Sequence, residues 1–271
     1  MHPSRQIQRP TTRSTKQIFL GHRFSVHPID HLRSAIEHHA RMTPHPYYPP
    51  SVDIPGYVPN DRGALALIFI FASACVAIFL ATYLLTTKQR PQISTGDLLT
   101  AQWFALCGCI HLFFEGYYSL NIHTLPSKQT LFGQLWKEYA LSDSRYLVPN
   151  SFVHSMESIT AFAWGPLSFV LVFLISRDYH LRHPVQLVVS LGQLYGDVLY
   201  YMTCLFELVV FGTENSRPEK GYFWGYFVLL NAFWVVIPSG LVWESVVACG
   251  RAFKVSKAVE RGVNGMAKKV L

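Results

Sequence analysis

Four ionisable side chains stand inside long apolar stretches of this 271-residue chain: His111 and Glu115 in one, Glu157 in the next, Asp197 in the one after. Charged groups in hydrocarbon are costly, so such residues face a bundle interior and mark a site. A histidine and carboxyls in a low-dielectric pocket can be tuned towards neutral pH, which equips them to give a proton at one point and take one at another. Spacing sharpens the picture. His111 and Glu115 are four apart, Glu157 and Thr160 three apart with Trp164 a turn further on, Gln193 and Asp197 four apart, and Asn231 and Trp234 three apart. Each pair shares one face of a helix, so four helices each point a small polar group inward.

The elements that must position these groups are membrane spans. Half of the residues are hydrophobic and 14% charged, and the mean hydropathy is positive, too apolar for an ordinary soluble domain. Ala64 to Thr87 contains no charged residue, enough at about 1.5 Å per residue to cross a core of roughly 30 Å. Leu98 to Leu120, Phe152 to Ile175, Val185 to Phe211 and Tyr222 to Ala248 have similar lengths, each with at least one ionisable side chain. Backbone groups in lipid must be paired within the segment, so helices are expected. The fold class is an all-α integral membrane protein, a bundle of five transmembrane helices with an intramembrane pocket. Its core domain covers residues 44–250, between a basic, disordered tail over 1–43 and a basic tail over 251–271.

Charge sets the expected orientation. One set of connections, with the C-terminal tail, carries ten basic residues, and the other set carries six. The positive-inside rule is local, so the distant basic residues of the N-terminal tail are discounted, and the N-terminus falls on the lumenal side and the C-terminus in the cytosol. The last four residues, Lys268, Lys269, Val270 and Leu271, have the form of a dilysine retrieval signal for the endoplasmic reticulum. The net charge of +7 implies affinity for anionic lipid headgroups; no nucleic-acid module is present. Pro44, Pro46, Pro49 and Pro50 mark an extended approach to the membrane. Tyr83, Trp103, Tyr222 and Trp224 fit interfacial belts, although single aromatics at such positions are also common packing residues. The five cysteines lie in or at the ends of spans, and no structural disulfide is expected.

On this topology the polar residues share a depth. Glu115 and Glu157 each lie five residues inside the lumenal edge, about 8 Å at helical rise. His111, Thr160, Tyr201, Asn231, Trp164, Trp234 and Asp197 follow within the next nine. One cavity lined by this layer is expected. An iron-dependent oxidase would need several histidine clusters, and His111 is nearly alone within the spans, so no metal is expected. No glycine-rich dinucleotide or phosphate loop precedes a helix, so no cofactor is expected either. Redox-free proton chemistry on an apolar substrate remains.

From about His45 to Phe253 the chain resembles the EXPERA membrane-domain family and, within it, the emopamil-binding sterol Δ8-Δ7 isomerases. The resemblance is carried by Cys107-Gly108-x-Ile110-His111-x3-Glu115-Gly116, Leu135-Trp136-Lys137-Glu138-Tyr139 with Asp143-Ser144-Arg145-Tyr146, Met156-Glu157-x-Ile159-Thr160-Ala161-x2-Trp164-Gly165-Pro166, Gly192-Gln193-x-Tyr195-Gly196-Asp197-Val198-Leu199-Tyr200, and Asn231-Ala232-x-Trp234. It implies that a sterol 8(9) double bond moves to 7(8) by protonation at carbon 9, a carbocation at carbon 8 and deprotonation at carbon 7. It further implies functional roles for His111, Glu115, Glu157, Thr160, Asn231 and Trp234: His111, oriented by Glu115, and Glu157 form the acid and base pair, Thr160 and Asn231 position them, and Trp234 faces the cation. Trp164, Gln193, Asp197, Tyr200 and Tyr201 are the expected substrate-binding residues. Trp164 could equally shape a helix kink, and Asp197 could tie neighbouring helices. Lys137, Glu138, Asp143 and Arg145 read as a solvated ion network in a lumenal cap, and Glu207 and Glu244 as side chains that reach water. The expected partners are a Δ8-sterol, lipophilic amines as inhibitors and membrane lipids, with a homodimer left open. The rival reading is a non-catalytic sterol- or amine-binding membrane protein.

Overall fold

The computed structural model describes residues 44–270, with side chains to Gly262. The tail expected over residues 1–43 lies outside the described residues, as do Leu271 and the side chains of Lys268 and Lys269.

Five helices are long and apolar enough to cross a membrane: α1 Ala64–Gln89, α2 Thr95–Asn121, α4 Ser151–Ser176, α5 Arg182–Phe211 and α6, which starts at Gly221. The short α3, Leu131–Tyr139, sits in the connection between α2 and α4. The described residues contain no strand. Helix starts follow from side-chain oxygens that satisfy free backbone N–H groups: Ser94 accepts from Asp97 N, Thr130 from Gly133 N and Asn150 from Val153 N. The last helix overshoots the expected span, since π-helical Gly221–Leu230 runs straight into α-helical Asn231–Val270. Exposed, basic and helical from Arg251 to Gly262, its distal part projects beyond the bundle.

Three of the spans are not regular α-helices. Ile110–Glu115 in α2, Thr160–Trp164 in α4 and Gly221–Leu230 in α6 are π-helical, a register that inserts a residue per turn and recurs at functional sites. In α4 the cause is visible in the sequence. Pro166 lacks the N–H that would bond the carbonyl of Phe162, so the ladder breaks where the π segment gives way to Gly165–Ser176. The π segments of α2 and α4 pack against each other. A Cβ on Gly165 would stand 2.9 Å from Leu112 N, so only glycine lets the two backbones approach this closely.

α1 buries only Leu67, Thr82 and Thr86 and presents most of its surface outward. One end of the bundle is closed by a cap, built from residues 44–62 and the 122–150 connection. Lys137 Nζ donates to Val58 O (2.7 Å), Tyr47 Oη to Lys137 O (3.0 Å) and Asn60 Nδ2 to Gln134 O (2.9 Å). The proline-rich stretch is therefore not a plain extended approach: its turns fold onto α3 because these buried polar groups pair across it. The opposite end is held by an ionic collar in which Arg182 bonds Asp97 at 2.6 Å and Arg90 bonds the same carboxyl at 3.1 Å.

Candidate functional site

A cavity of about 820 Å³ opens between the helices, below the cap. Its size falls within the range of small-molecule sites, and its wall is almost wholly apolar apart from a few converging polar groups. His111, Glu115, Glu157, Thr160, Trp164, Gln193, Asp197, Tyr200, Asn231 and Trp234 all reach it.

The facing π segments bring the titratable groups together. His111, 1% exposed, meets both Glu115 oxygens through Nδ1, at 2.8 and 2.9 Å. Its other nitrogen, Nε2, accepts from the Gln193 amide at 2.9 Å. The imidazole is thereby fixed with the proton on Nδ1, shared with the carboxylate, and both nitrogens are engaged. Glu157, in the turn that leads into the second π segment, interacts with both Glu115 and His111. Its Oε1 accepts from Tyr146 Oη at 2.6 Å. Tyr146 lies in the cap, where burial first, and then the Glu157 carboxyl and neighbouring phenols, push its pKa well above the ordinary value. Its hydroxyl therefore keeps its proton and remains a donor.

Around this trio stand aromatic walls. The Trp234 ring lies 6.1 Å from the His111 ring and 5.4 Å from Trp103, centroid to centroid. Trp103 is 7% exposed and lines the cavity, so it is not the interfacial belt residue its position in the span implied. Packing inside the bundle claims it instead. Trp136 stacks on Phe114 at 4.4 Å and closes the cavity from the cap. Trp164 reaches the cavity and also lies against α5, where a Cβ on Gly192 would stand 2.5 Å from its ring.

The remaining expected residues divide. Thr160 Oγ1 donates to Met156 O at 2.6 Å, which leaves its lone pairs to the cavity. Asn231 Nδ2 donates to Phe227 O at 2.7 Å and to Tyr139 Oη at 3.0 Å. Tyr200 turns its hydroxyl to the cap and donates to Asp143 Oδ2 at 2.7 Å. Tyr201 is absent from the cavity wall: its hydroxyl donates to Val228 O at 2.8 Å and ties α5 to α6. Asp197 lines the cavity with no side-chain hydrogen bond or ion pair among the described residues. The helix-tying role open to it in the sequence has no partner here.

The cap also differs from the solvated network its charges implied. Asp143 and Arg145 are 0% and 2% exposed. They form a forked pair, Nε to Oδ1 at 2.9 Å and Nη2 to Oδ2 at 2.7 Å. Arg145 also donates to Thr203 Oγ1 at 3.1 Å, so the cap is bolted to α5. Glu207, 3.7 Å from Arg145, and Glu244 are both partly exposed at the ends of the bundle. Tyr139, Tyr146, Trp103 and Trp136 are the cavity residues that span-by-span reasoning missed as site residues. For Trp136, Tyr139 and Tyr146 the one sequence signal is the run of aromatic residues in a connection between spans, which a water-exposed loop does not need; Trp103, inside α2, carries none.

A model of the EXPERA domain, the expanded EBP superfamily, matches residues 131–245. The 3-beta-hydroxysteroid-Delta(8),Delta(7)-isomerase of Mus musculus is 43% identical over 203 residues, covering 74% of this chain and 87% of the relative. The chain belongs to the expanded EBP superfamily. Among more distant relatives, a probable 3-beta-hydroxysteroid-Delta(8),Delta(7)-isomerase of Oryza sativa subsp. japonica is 31% identical, with 78% of this chain and 96% of the relative covered. A protoglabretal synthase of Ailanthus altissima is 27% identical, with 76% and 94% covered. Superfamily membership thus fixes the helical membrane scaffold, and the choice of reaction rests on the side chains in the cavity.

Proposed function

We propose that this protein is a 3-beta-hydroxysteroid Δ8-Δ7 isomerase that works inside the membrane without a redox step. The observation that carries this reading is the meeting of His111 and Glu115, on one π segment, with Glu157, in the turn that leads into the facing one, at the wall of one apolar cavity. An acid protonates carbon 9 of the sterol, the electrons of the 8(9) double bond leave a cation at carbon 8, and a base removes a proton from carbon 7 to form the 7(8) double bond. The His111–Glu115 pair and Glu157 divide these two proton transfers. Glu115 holds the imidazole and stabilises its protonated form. Gln193 occupies Nε2 in the resting arrangement, so a proton passes at that nitrogen once the amide turns aside. Thr160, bonded to Met156 O in α4, and Asn231, bonded to Phe227 O and Tyr139, position the partners around the cavity.

Trp234, beside His111, presents an indole to the cation, an attraction of about 0.5–2 kcal/mol. Water exclusion by the cap strengthens each of these electrostatic contacts and protects the cation from capture. Lipophilic amines fit the same cavity as mimics of the cation and inhibit. The protein resides in the endoplasmic reticulum membrane with the cap end and N-terminus lumenal and the C-terminus cytosolic. That placement draws support from the excess of basic residues summed over the collar end and the tail.

The test is turnover of a Δ8-sterol by purified protein in heavy water. An isomerase yields a Δ7 product with deuterium at carbon 9, and recovery of unchanged, undeuterated Δ8-sterol would leave only the binding function.

A further inference from the structure

Among the described residues the acids inside the bundle have partners, with one exception. Glu115 has His111, Glu157 has Tyr146, Asp143 has Arg145, and Asp97 has Arg182 and Arg90. Asp197 is 9% exposed, half-way along α5, and its carboxyl has no hydrogen-bond partner among the described residues. A buried carboxyl left unpaired is costly, far more so than an unpaired neutral group. Such a cost persists where a ligand supplies the missing donor, and Asp197 lines the reaction cavity.

Its position says which donor. Asp197 follows Gln193 by one turn on the same face of α5, and the Gln193 amide touches His111 Nε2. Four residues advance about 6 Å along the helix, so the carboxyl stands one turn along the wall from the imidazole. In a Δ8-sterol the reacting carbons 7, 8 and 9 lie in ring B, and the 3β-hydroxyl projects from the far side of the adjoining ring A. A hydroxyl two fused rings from the reacting edge matches a carboxyl one helical turn from the catalytic pair.

We propose that Asp197 accepts a hydrogen bond from the 3β-hydroxyl of the sterol and sets the register of ring B against His111 and Glu157. The inference rests on the isomerase reading above and adds the group by which the site recognises ring A. A carboxyl accepts from a hydroxyl and rejects an analogue with no donor, so it selects 3β-hydroxysterols over 3-deoxy compounds.

The experiment measures kcat/KM of the full-length protein for a 3β-hydroxy-Δ8-sterol and its 3-deoxy analogue, in the wild type and in Asp197→Ala and Asp197→Asn. The wild type should prefer the hydroxysterol by about 10–100-fold, the worth of one charge-assisted hydrogen bond. Asp197→Ala should bring that ratio close to unity, chiefly through KM for the hydroxysterol, and Asp197→Asn, whose amide oxygen still accepts, should fall between. A purely structural Asp197 would lower both substrates together and leave the ratio unmoved, which overturns the proposal. So does a wild type that turns over both sterols equally, a result that holds even where the alanine variant fails to fold. A wild type that isomerises neither sterol overturns the functional reading itself, and this inference with it.

Discussion

The two ends of the bundle are built from the same kind of interaction and do different things with it. At the cap, Asp143 and Arg145 are buried, and their hydrogen bonds run on to Tyr200, while neighbouring Tyr146 reaches Glu157 and Tyr139 reaches Asn231. At the other end Arg90, Asp97, Asp178, Arg182 and Glu244 clasp α1, α2, α5 and α6, and none of them lines the cavity. Buried ion pairs are weak evidence of stabilisation in themselves, because desolvation offsets attraction. What separates the two ends is connection: Tyr146 and Tyr139 carry the cap's hydrogen bonds to Glu157 and Asn231 on the cavity wall, and the collar's ion pairs stay away from it. A charge network near a membrane site therefore informs about function only through what lies at the end of its hydrogen bonds.

The largest effect should come from the group where the cap network ends. Glu157→Gln leaves the Tyr146 hydroxyl an oxygen to donate to, so thermal melting should move little, and turnover to Δ7-sterol should drop by about 10²–10⁴-fold, the usual worth of a positioned acid or base. Near-wild-type product formation by this variant would remove Glu157 from the chemistry. Next comes Arg145→Met. It leaves the Asp143 carboxyl buried without its cation, and breaking such a pair costs about 3–5 kcal/mol. A denaturation series in detergent should record that loss. A midpoint within error of the wild type would mean that the cap is not held as the forked pair implies. Smaller again is Tyr146→Phe, which deletes one hydrogen bond to a carboxyl, about 1.5–3 kcal/mol. Here kcat should fall by about 10–100-fold with the fold retained, and an unaltered kcat would cut the cap off from catalysis.

Much of this arrangement is legible in the residues, for identifiable reasons. Apolar runs of spanning length force helices, so the five-span scaffold follows from composition and the backbone's need for partners. The inward polar groups follow from the cost of charge in lipid, which is why His111, Glu115, Glu157 and Asp197 stand out by residue type and position alone. Three features are not legible. A 3.6-residue period predicts regular helices: Pro166 signals in the sequence only a break in the α4 ladder, and the close approach of α4 to α2 at Gly165 is a tertiary matter. Trp103 has the spacing of a belt residue, and only packing against Trp234 reveals that it faces inward. Asp143 and Arg145 look like loop charges because a linear pattern cannot say that a connection folds back into the bundle, and the same holds for Tyr139 and Tyr146 beside them.

The collar supplies the smallest expected effect and the sharpest control. Arg90 bonds Asp97 at 3.1 Å and Asp178 at 3.2 Å, but its own side chain is 25% exposed and Asp178 is 64% exposed. Asp97 keeps its shorter bond to Arg182, at 2.6 Å, when Arg90 is gone. Water solvates what remains, so Arg90→Met should cost no more than about 1 kcal/mol. No group on this collar lines the cavity, so kcat/KM and the ratio between sterol substrates should stay at wild-type values. Measured beside Arg145→Met under the same conditions, the two midpoints separate a sealed pair from a hydrated one. Equal losses of stability, or a fall in turnover with Arg90→Met, would show that the two ends are energetically alike and that the collar, too, bears on the site.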